Sequence, residues 1–260
     1  MAMAFDFSGK TVVVAGGTSG INLGIAEAFA RQGARLFVFS RDAAKVSATV
    51  DRLQALGAKA AGENGDVRDM TRMEALMADC VQRFGLIDVL ISGAAGNFVA
   101  AAKDLTPNGF KAVMDIDLLG TFHVMRAAYP HLRKPGAAIV NISAPQAFIP
   151  MYGQIHVCAA KAGVDMITKT LALEWGPEGV RVNSVVPGPI DDSEGMRRLA
   201  PSDALRQKVA QSVPLRRLGS ADEVASLCLM LASPLGAYVS GAIIPVDGGW
   251  SATGSLMPSA

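Results

Sequence analysis

TVVVAGGTSGINLG, residues 11–24, passes from a run of β-branched side chains into a glycine-rich turn and then into a helical pattern. Glycines in such a turn let the backbone bend tightly and approach a diphosphate, and the amides at the start of the following helix face that anion. A glycine-rich turn alone also serves ordinary loops, but the preceding strand and the following helix favour a nucleotide site. We therefore expect a dinucleotide cofactor here. Its predicted contacts are Gly16, Thr18, Ser19, Gly20, Ile21 and Asn22.

Short apolar runs alternate with longer helical patterns along the rest of the chain, which is typical of consecutive strand–helix–strand units. Most of the runs are apolar from end to end, as expected of strands covered by helices on both faces. The fold class is therefore expected to be α/β, a doubly wound parallel seven-stranded sheet of the Rossmann type with helices on both faces. The predicted strands are Thr11–Ala15, Leu36–Ser40, Ala58–Gly62, Val89–Ser92, Ala138–Ser143, Arg181–Val186 and Ala242–Val246. The predicted helices are Ile21–Gln32, Ala43–Leu56, Met70–Phe84, Gly109–Leu132, Ile155–Trp175 and Asp222–Ala232.

The stretch 191–214 is polar, charged and interrupted, and it lies between the sixth predicted strand and the last predicted helix. Ligands of open α/β sheets bind beyond the carboxyl ends of the strands. We therefore expect a mobile substrate lid around residues 191–214.

Composition narrows the class of partner. Half of the 260 residues are hydrophobic, so the chain can bury a large core as a single domain over residues 1–260. The formal net charge is +1, which gives no field strong enough to favour nucleic acid or an anionic membrane, and a small-molecule partner is expected. Cys80, Cys158 and Cys228 show no metal-ligand spacing, so no metal site is expected and a reducing compartment fits best. With neither a secretory signal nor a membrane span in the sequence, the expected location is cytoplasmic.

The end of the second predicted strand bears on cofactor choice. It reads Phe39-Ser40-Arg41, without the carboxylate that would bind a free ribose 2′-hydroxyl. Arg41 would instead pair with a 2′-phosphate, which favours NADP(H) over NAD(H). The alternative is that Arg41 is a solvated cation at the start of a helix. Asp66 and Val67, after the third strand, are expected at the adenine.

The chain resembles the short-chain dehydrogenase/reductase family from about Phe7 to Gly249. Besides the glycine-rich turn, the resemblance is carried by segments that together are highly specific: Gly65-Asp66-Val67, Asp88-Val89-Leu90-Ile91, Ser92-Gly93-Ala94-Ala95-Gly96, Ala160-Lys161-Ala162-Gly163-Val164, Arg181-Val182-Asn183-Ser184, Pro187-Gly188-Pro189-Ile190 and Val246-Asp247-Gly248-Gly249. It implies further cofactor contacts, at Ala94, Lys161, Pro187, Gly188 and Ile190.

The family's usual active-site residues are largely missing. The position of the acidic Tyr, four residues before the Lys, is Val157, and the position of the usual Ser is Ala144. Ser143 is adjacent but is expected to project to the other side of the extended strand end. Other departures are Asn22 at the third turn glycine, Ser92 and Gly93 at the paired asparagines, and Asp117 at the helix Asn. Of the usual catalytic set, only Lys161 is retained.

A buried ion pair is the central expectation for the site. On the predicted helix Gly109–Leu132, positions 113, 117, 120 and 124 share one face, which places Asp117 in an apolar stripe. Burying that carboxylate is costly unless a cation compensates it. Lys161 lies in the inward register of its own helix and would supply the cation. The alternative is that Lys161 extends to solvent and Asp117 is solvated at a helix edge.

Within the family, the chain is especially similar to the 2,4-dienoyl-CoA reductases of the peroxisomal type, which also lack the usual Tyr. The similar segments are Ala94-Ala95-Gly96-Asn97-Phe98, residues 110–117, Gly120-Thr121-Phe122, Glu174-Trp175-Gly176-Pro177, residues 187–190 and residues 194–199. This resemblance implies that Asp117 and Lys161 are the catalytic pair. The implied activity is NADPH-dependent reduction of an unsaturated acyl-CoA, auxiliary to fatty acid β-oxidation, in a homotetramer.

Five residues are expected at the substrate. Phe98 would pack beside the acyl chain, although it could also be ordinary core, and either Gln146 or the backbone near Ala144 would donate to the thioester oxygen. Met196 would line the acyl channel. Arg197, together with Arg198, would meet the phosphates of coenzyme A, or would be a solvated charge cluster. His156 is a candidate near the pocket, though such a histidine is often structural.

Two other functions stay open at this point. One is a ketone or 3-oxoacyl reductase with an unconventional acid such as His156 or Ser143. The other is a non-catalytic NADP(H)-binding subunit.

Overall fold

The computed structural model describes residues 5–191, 193, 196 and 200–253. Its strands are β1 Thr11–Ala15, β2 Arg35–Ser40, β3 Ala60–Asn64, β4 Val89–Ser92, β5 Ala138–Ile142, β6 Arg181–Pro187 and β7 Ile243–Val246. They form one sheet in the order β3-β2-β1-β4-β5-β6-β7, and each pair of neighbours is parallel. The strand order reverses between β1 and β4, which is where open α/β sheets bind their ligands.

Helices connect the strands and cover both faces of the sheet. The α-helices are α1 Gly20–Arg31, α2 Ala43–Ala55, α3 Met70–Phe84, α4 Pro107–Val113, α5 Gly120–Ala128, α6 Ile155–Trp175, α7 Asp203–Ser212 and α8 Ala221–Ala232. Short 3₁₀ turns occupy Tyr129–His131, Pro145–Ala147, Gly176–Glu178, Pro234–Gly236 and Trp250–Ala252. None of the helices in the described ranges has both the length and the apolar character needed to cross a bilayer.

The side chains of β1 show why the sheet is covered on both sides. Val12 and Val14 pack with Phe29 of α1 in one buried cluster. Val13 lies in a second cluster with Leu76 of α3. Because successive strand residues point to opposite faces, a strand buried on both sides must be apolar throughout. The predicted fold class, a doubly wound parallel seven-stranded sheet, is confirmed.

The predicted helix Gly109–Leu132 is wrong in its details. The helix begins earlier, at Pro107, where the Thr106 side chain accepts a hydrogen bond from the backbone amide of Gly109. Between α4 and α5 the backbone forms a π-helical segment, Met114–Leu119. A π-helical turn holds more residues than an α-helical turn and shifts which side chains share a face. Side-chain periodicity alone does not reveal this insertion.

The structure also differs from the prediction at strand β3 and within the predicted lid. Strand β3 covers Ala60–Asn64 instead of Ala58–Gly62, because its register pairs Leu36 with Ala60 and Ser40 with Asn64. Within the predicted lid, Ser202 caps the unpredicted helix α7, which has no buried residue. A helix so exposed lacks the apolar stripe by which sequence periodicity detects helices.

Candidate active site

A single cleft of about 1230 Å³ lies at the carboxyl ends of the strands. It collects every residue predicted to contact the cofactor, from segments far apart in the sequence. These residues are Gly16, Thr18, Ser19, Gly20, Ile21, Asn22, Arg41, Asp66, Val67, Ala94, Lys161, Pro187, Gly188 and Ile190. Asp117 lines the same cleft.

The turn between β1 and α1 forms a cradle for a diphosphate. Gly16 and Gly20 have φ angles of 72° and 53°, which side chains other than glycine rarely adopt. A Cβ atom at Gly16 would lie 3.0 Å from the Cα atom of Ala94, so no side chain fits between the two turns. The Ser19 side chain does not cap α1, and the first-turn amides stay available to an anion. This cradle fits the diphosphate of a dinucleotide.

Two cations and a hydroxyl lie at the end of the cleft next to β2. Arg41 and Lys45 both line it, and so does Ser40, whose buried Oγ atom has no hydrogen-bond partner among the described residues. Sequence reasoning missed Ser40 and Lys45, although their position beside Arg41 in the β2–α2 connection was a usable signal.

Asp66, at this end of the cleft, forms an ion pair with a neighbouring arginine. The Arg68 guanidinium donates to both carboxylate oxygens of Asp66, at 3.0 and 3.1 Å from Nε. These bonds hold the pKa of the Asp66 carboxyl below its usual value. Asp66 is therefore an ionised acceptor in the cleft.

Asp117 and Lys161 meet in the interior of the site. The Nζ atom of Lys161 lies 3.4 Å from Oδ2 of Asp117, and the two side chains are 8% and 1% exposed, respectively. The backbone amide of Gly96 donates to Oδ1 of Asp117 at 2.7 Å, and Lys161 Nζ also donates to the carbonyl of Ile142 at 3.1 Å. The π-helical segment carries Asp117 to this position. The structure thus brings together the two groups that sequence reasoning paired.

A second buried carboxyl, Asp165, lies one helical turn after Lys161 on α6. Burial raises the pKa of Asp165, and the neighbouring hydroxyls of Ser143 and Ser184 together with the charge of Lys161 oppose the rise only in part. Ser143 also borders the cleft. Sequence reasoning did not single out Asp165, because an Asp in an otherwise regular helical pattern carries no signal of its burial.

The comparisons with known proteins agree with this geometry. Residues 15–251 match the family model described as "Enoyl-(Acyl carrier protein) reductase". The solved structure of a short chain dehydrogenase from Bacillus anthracis superimposes with a TM-score of 0.85 at 35% identity, covering 97% of this chain and 99% of that one. The chain belongs to the short-chain dehydrogenase/reductase family. The resemblance predicted from the sequence is confirmed, and the protein is an oxidoreductase of a family that uses a nicotinamide cofactor.

Curated relatives in this family carry a more specific name. The chain is 44% identical over 242 residues to the peroxisomal 2,4-dienoyl-CoA reductase [(3E)-enoyl-CoA-producing] of Rattus norvegicus, covering 92% of this chain and 83% of that protein. It is 38% identical over 243 residues to a probable 2,4-dienoyl-CoA reductase [(2E)-enoyl-CoA-producing] of Bacillus subtilis, covering 92% and 96%.

The tyrosine that this family ordinarily uses has no replacement in the described cleft. Val157, at the position of that tyrosine, is buried and lines the cleft. The chain has three tyrosines, Tyr129, Tyr152 and Tyr238, and none of them is among the described residues that line the cleft. The polar groups that contact the Asp117–Lys161 pair belong to the backbone of this short-chain dehydrogenase/reductase: the amide of Gly96 and the carbonyl of Ile142.

Only some of the residues predicted at the substrate can be placed at the cleft. Phe98, Gln146 and Met196 line the cleft, whereas Arg197 and Arg198 lie outside the described residues. Gln146 uses its Nε2 group within the protein, donating to Oε1 of Gln154 at 2.7 Å. The same Nε2 group also lies 3.5 Å from Sδ of Met151, so donation to a substrate oxygen would replace this weaker contact.

His156 lies behind the cleft wall instead of in it. It is fully buried, its Nε2 atom lies 3.0 Å from the carbonyl oxygen of Phe98, and its ring centroid is 4.5 Å from that of Phe98. His156 is not among the residues that line the cleft. Its contacts hold Phe98 in place, which corresponds to the structural alternative considered for this histidine.

Proposed function

We propose that this protein is an NADPH-dependent reductase of 2,4-dienoyl-CoA thioesters, acting on a conjugated carbon–carbon double bond. The observation that carries the proposal is the buried Asp117–Lys161 pair in a cleft whose family tyrosine is replaced by Val157. The names of the curated relatives support the same substrate class.

The chemistry of a conjugated thioester explains how the site works without a tyrosine. Reduction of a ketone forms a basic alkoxide, which needs a proton at once from a neighbouring acid. Bound NADPH would instead supply hydride to C5 of the dienoyl chain, and the negative charge then spreads through a dienolate to the thioester oxygen. Such an anion is far less basic than an alkoxide, so electrostatic stabilisation followed by protonation at carbon is sufficient.

The roles of the pair follow from their contacts. Lys161 places a positive charge beside the reacting region and would bind the nicotinamide ribose hydroxyls. Asp117 would orient a water molecule that protonates the dienolate at carbon, and the hydroxide left behind would take a proton from solvent. Its Oδ1 atom is held by Gly96, whereas its Oδ2 atom, 3.4 Å from Lys161, accepts no hydrogen bond from the described residues.

The choice of NADPH rests on the β2 end of the cleft. Arg41 and Lys45 would meet the 2′-phosphate, and the buried Oγ atom of Ser40 would hydrogen-bond to it. A ribose 2′-hydroxyl, unlike a 2′-phosphate, would bring no negative charge to these two cations.

Substrate contacts and assembly extend the same proposal. Phe98 and Met196 would contact the acyl chain, and Arg197 would meet coenzyme A phosphates. Exposed apolar side chains on and beside α5 and α6, among them Phe122, Met166 and Leu173, support a homotetramer paired through these helices. Light scattering of the purified protein gives the mass of the assembly.

Incubation of the protein with 2,4-hexadienoyl-CoA and NADPH tests the function. We expect loss of the diene absorbance with equimolar oxidation of NADPH, and little oxidation with 3-oxoacyl-CoA. Turnover of the 3-oxo substrate alone would instead support a ketone reductase. Binding of NADPH without turnover of either substrate would support a non-catalytic subunit.

A further inference from the structure

The turns that follow β1 and β4 are joined by one side chain. These two strands are neighbours at the point where the strand order reverses. The amide of Asn22, in the first turn of α1, donates from Nδ2 to the carbonyl of Gly93 at 2.7 Å. The same Nδ2 atom lies 3.5 Å from the carbonyl of Gly16, at the limit of a hydrogen bond. Asn22 therefore contacts the backbone of both turns.

Glycine is required at position 93 by the nearby Asn22 side chain and not by the backbone conformation. Its φ angle is not among the positive ones, so the conformation alone does not demand glycine. A Cβ atom at this position, however, would lie 2.3 Å from Oδ1 and 2.5 Å from Nδ2 of Asn22. The Asn22 amide occupies the space that any side chain at position 93 would need.

The contact continues towards the ion pair. Three residues after Gly93, the amide of Gly96 donates to Oδ1 of Asp117 at 2.7 Å. The loop 93–96 is thus fastened at one end to Asn22 and at the other end to Asp117. Asn22 and Gly93 both line the same cleft as Asp117 and Lys161.

We propose that Asn22 is a positioning residue, a latch that couples the diphosphate-binding turn to the loop that holds Asp117. The Gly93 amide also donates to the carbonyl of Ala15 at 3.3 Å, so displacing the Asn22 amide removes one of the two contacts that hold this end of the loop. The loop then presents the Gly96 amide to the carboxylate less firmly. The effect on turnover rests on the proposed function of Asp117, whereas the effect on cofactor affinity does not.

A double-mutant cycle between the two positions tests the latch. Asn22→Gly removes the hydrogen bond, and we expect about a tenfold loss, both in kcat with 2,4-hexadienoyl-CoA and in affinity for NADPH measured by its fluorescence. Gly93→Ala places a methyl group against the amide, and we expect a loss at least as large. The three atoms nearest to that methyl group all belong to the Asn22 side chain, which is absent in the double variant Asn22→Gly/Gly93→Ala, so its activity and affinity should equal those of Asn22→Gly alone.

The matched control is Asn108→Ala, which removes an exposed amide on α4 and should match the wild type. Losses that simply add in the double variant would overturn the latch. If Gly93→Ala fails to fold, recovery of folding in the double variant supports the latch, and failure of both variants overturns it. Coupling seen in NADPH affinity without dienoyl turnover in the wild type would overturn the proposed function alone.

Discussion

The ammonium group of Lys161 lies 3.4 Å from the carboxylate of Asp117, and both side chains are almost fully buried. Each charge offsets part of the desolvation cost of the other, which neither could bear alone in the interior. The pair occupies the inner end of a cleft that also contains a diphosphate cradle. In the proposed reaction, this arrangement would place a fixed positive charge and a hydrogen-bond acceptor beside the reacting atoms.

Asp117→Asn should lower kcat about 100-fold or more, because the variant keeps the shape of the side chain but removes its negative charge and replaces one of its two acceptor oxygens with a donor amide group, so the protonating water is no longer oriented in the same way. The Kd for NADPH, measured by fluorescence, should stay close to that of the wild type. Asp115→Asn is the matched control, since Asp115 lies two residues away and pairs with Lys111 at the surface. Equal kcat values for the Asp117 variant and the wild type would remove Asp117 from the mechanism.

Arg41→Asp should shift the cofactor preference from NADPH towards NADH. Loss of a charge-assisted hydrogen bond of about 1.5–3 kcal/mol should lower the NADPH/NADH ratio of kcat/KM by at least about tenfold. Arg83→Asp, at the end of α3 and outside the cleft lining, makes the same charge change as a control. An unaltered ratio in the Arg41 variant would mean that the 2′-phosphate binds elsewhere.

Gly120→Ala should destabilise the fold near the π-helical segment. The added Cβ atom would lie 2.5 Å from Cγ2 of Val67, and overpacking of this kind costs about 1–3 kcal/mol. Gly176→Ala is the control, because a Cβ atom there meets nothing within 4 Å. The free energy of unfolding in urea measures both changes. Combining Gly120→Ala with Val67→Ala should recover part of the loss, and a purely additive result would argue against the clash.

The advantage of the Asp165→Asn variant over the wild type in unfolding free energy should grow as the pH rises. Burial raises the pKa of Asp165 in the folded state, so the wild type loses stability as the pH increases from the unfolded value, about 3.9, through the raised folded value. The Asn variant has no proton to lose. The difference in unfolding free energy between the two proteins should therefore grow between pH 4 and pH 7, in favour of the variant. A difference that does not change with pH would show that the carboxyl is not perturbed.

Much of the fold could be predicted because the determining signals are local. The apolar run of β1, its glycine-rich turn and the strands that are apolar throughout predict a doubly wound sheet from backbone sterics and burial alone. The sequence predicts strand β3 two residues too early. No local signal shows that the pairing with β2 begins at Ala60 instead of Ala58.

The site was predicted in part. The Asp117–Lys161 contact followed from two helical registers, and the cleft residues followed from strand ends. The π-helical segment, the burial of Asp165 and the contact between Asn22 and Gly93 depend on the packing of segments distant in sequence. The position of His156 behind Phe98 could not be predicted either. Phe98 lies in a loop distant in sequence from His156, and their contact depends on how that loop packs against α6.

The destination of the transferred hydride tests the central claim most directly. The protein is incubated with 2,4-hexadienoyl-CoA and NADPH carrying deuterium at both C4 positions, and the product is analysed by mass spectrometry and NMR. We predict one deuterium at C5 of the acyl chain, with the second new hydrogen at carbon coming from solvent. No deuterium in the acyl product, or deuterium at a carbon other than C5, would contradict the account.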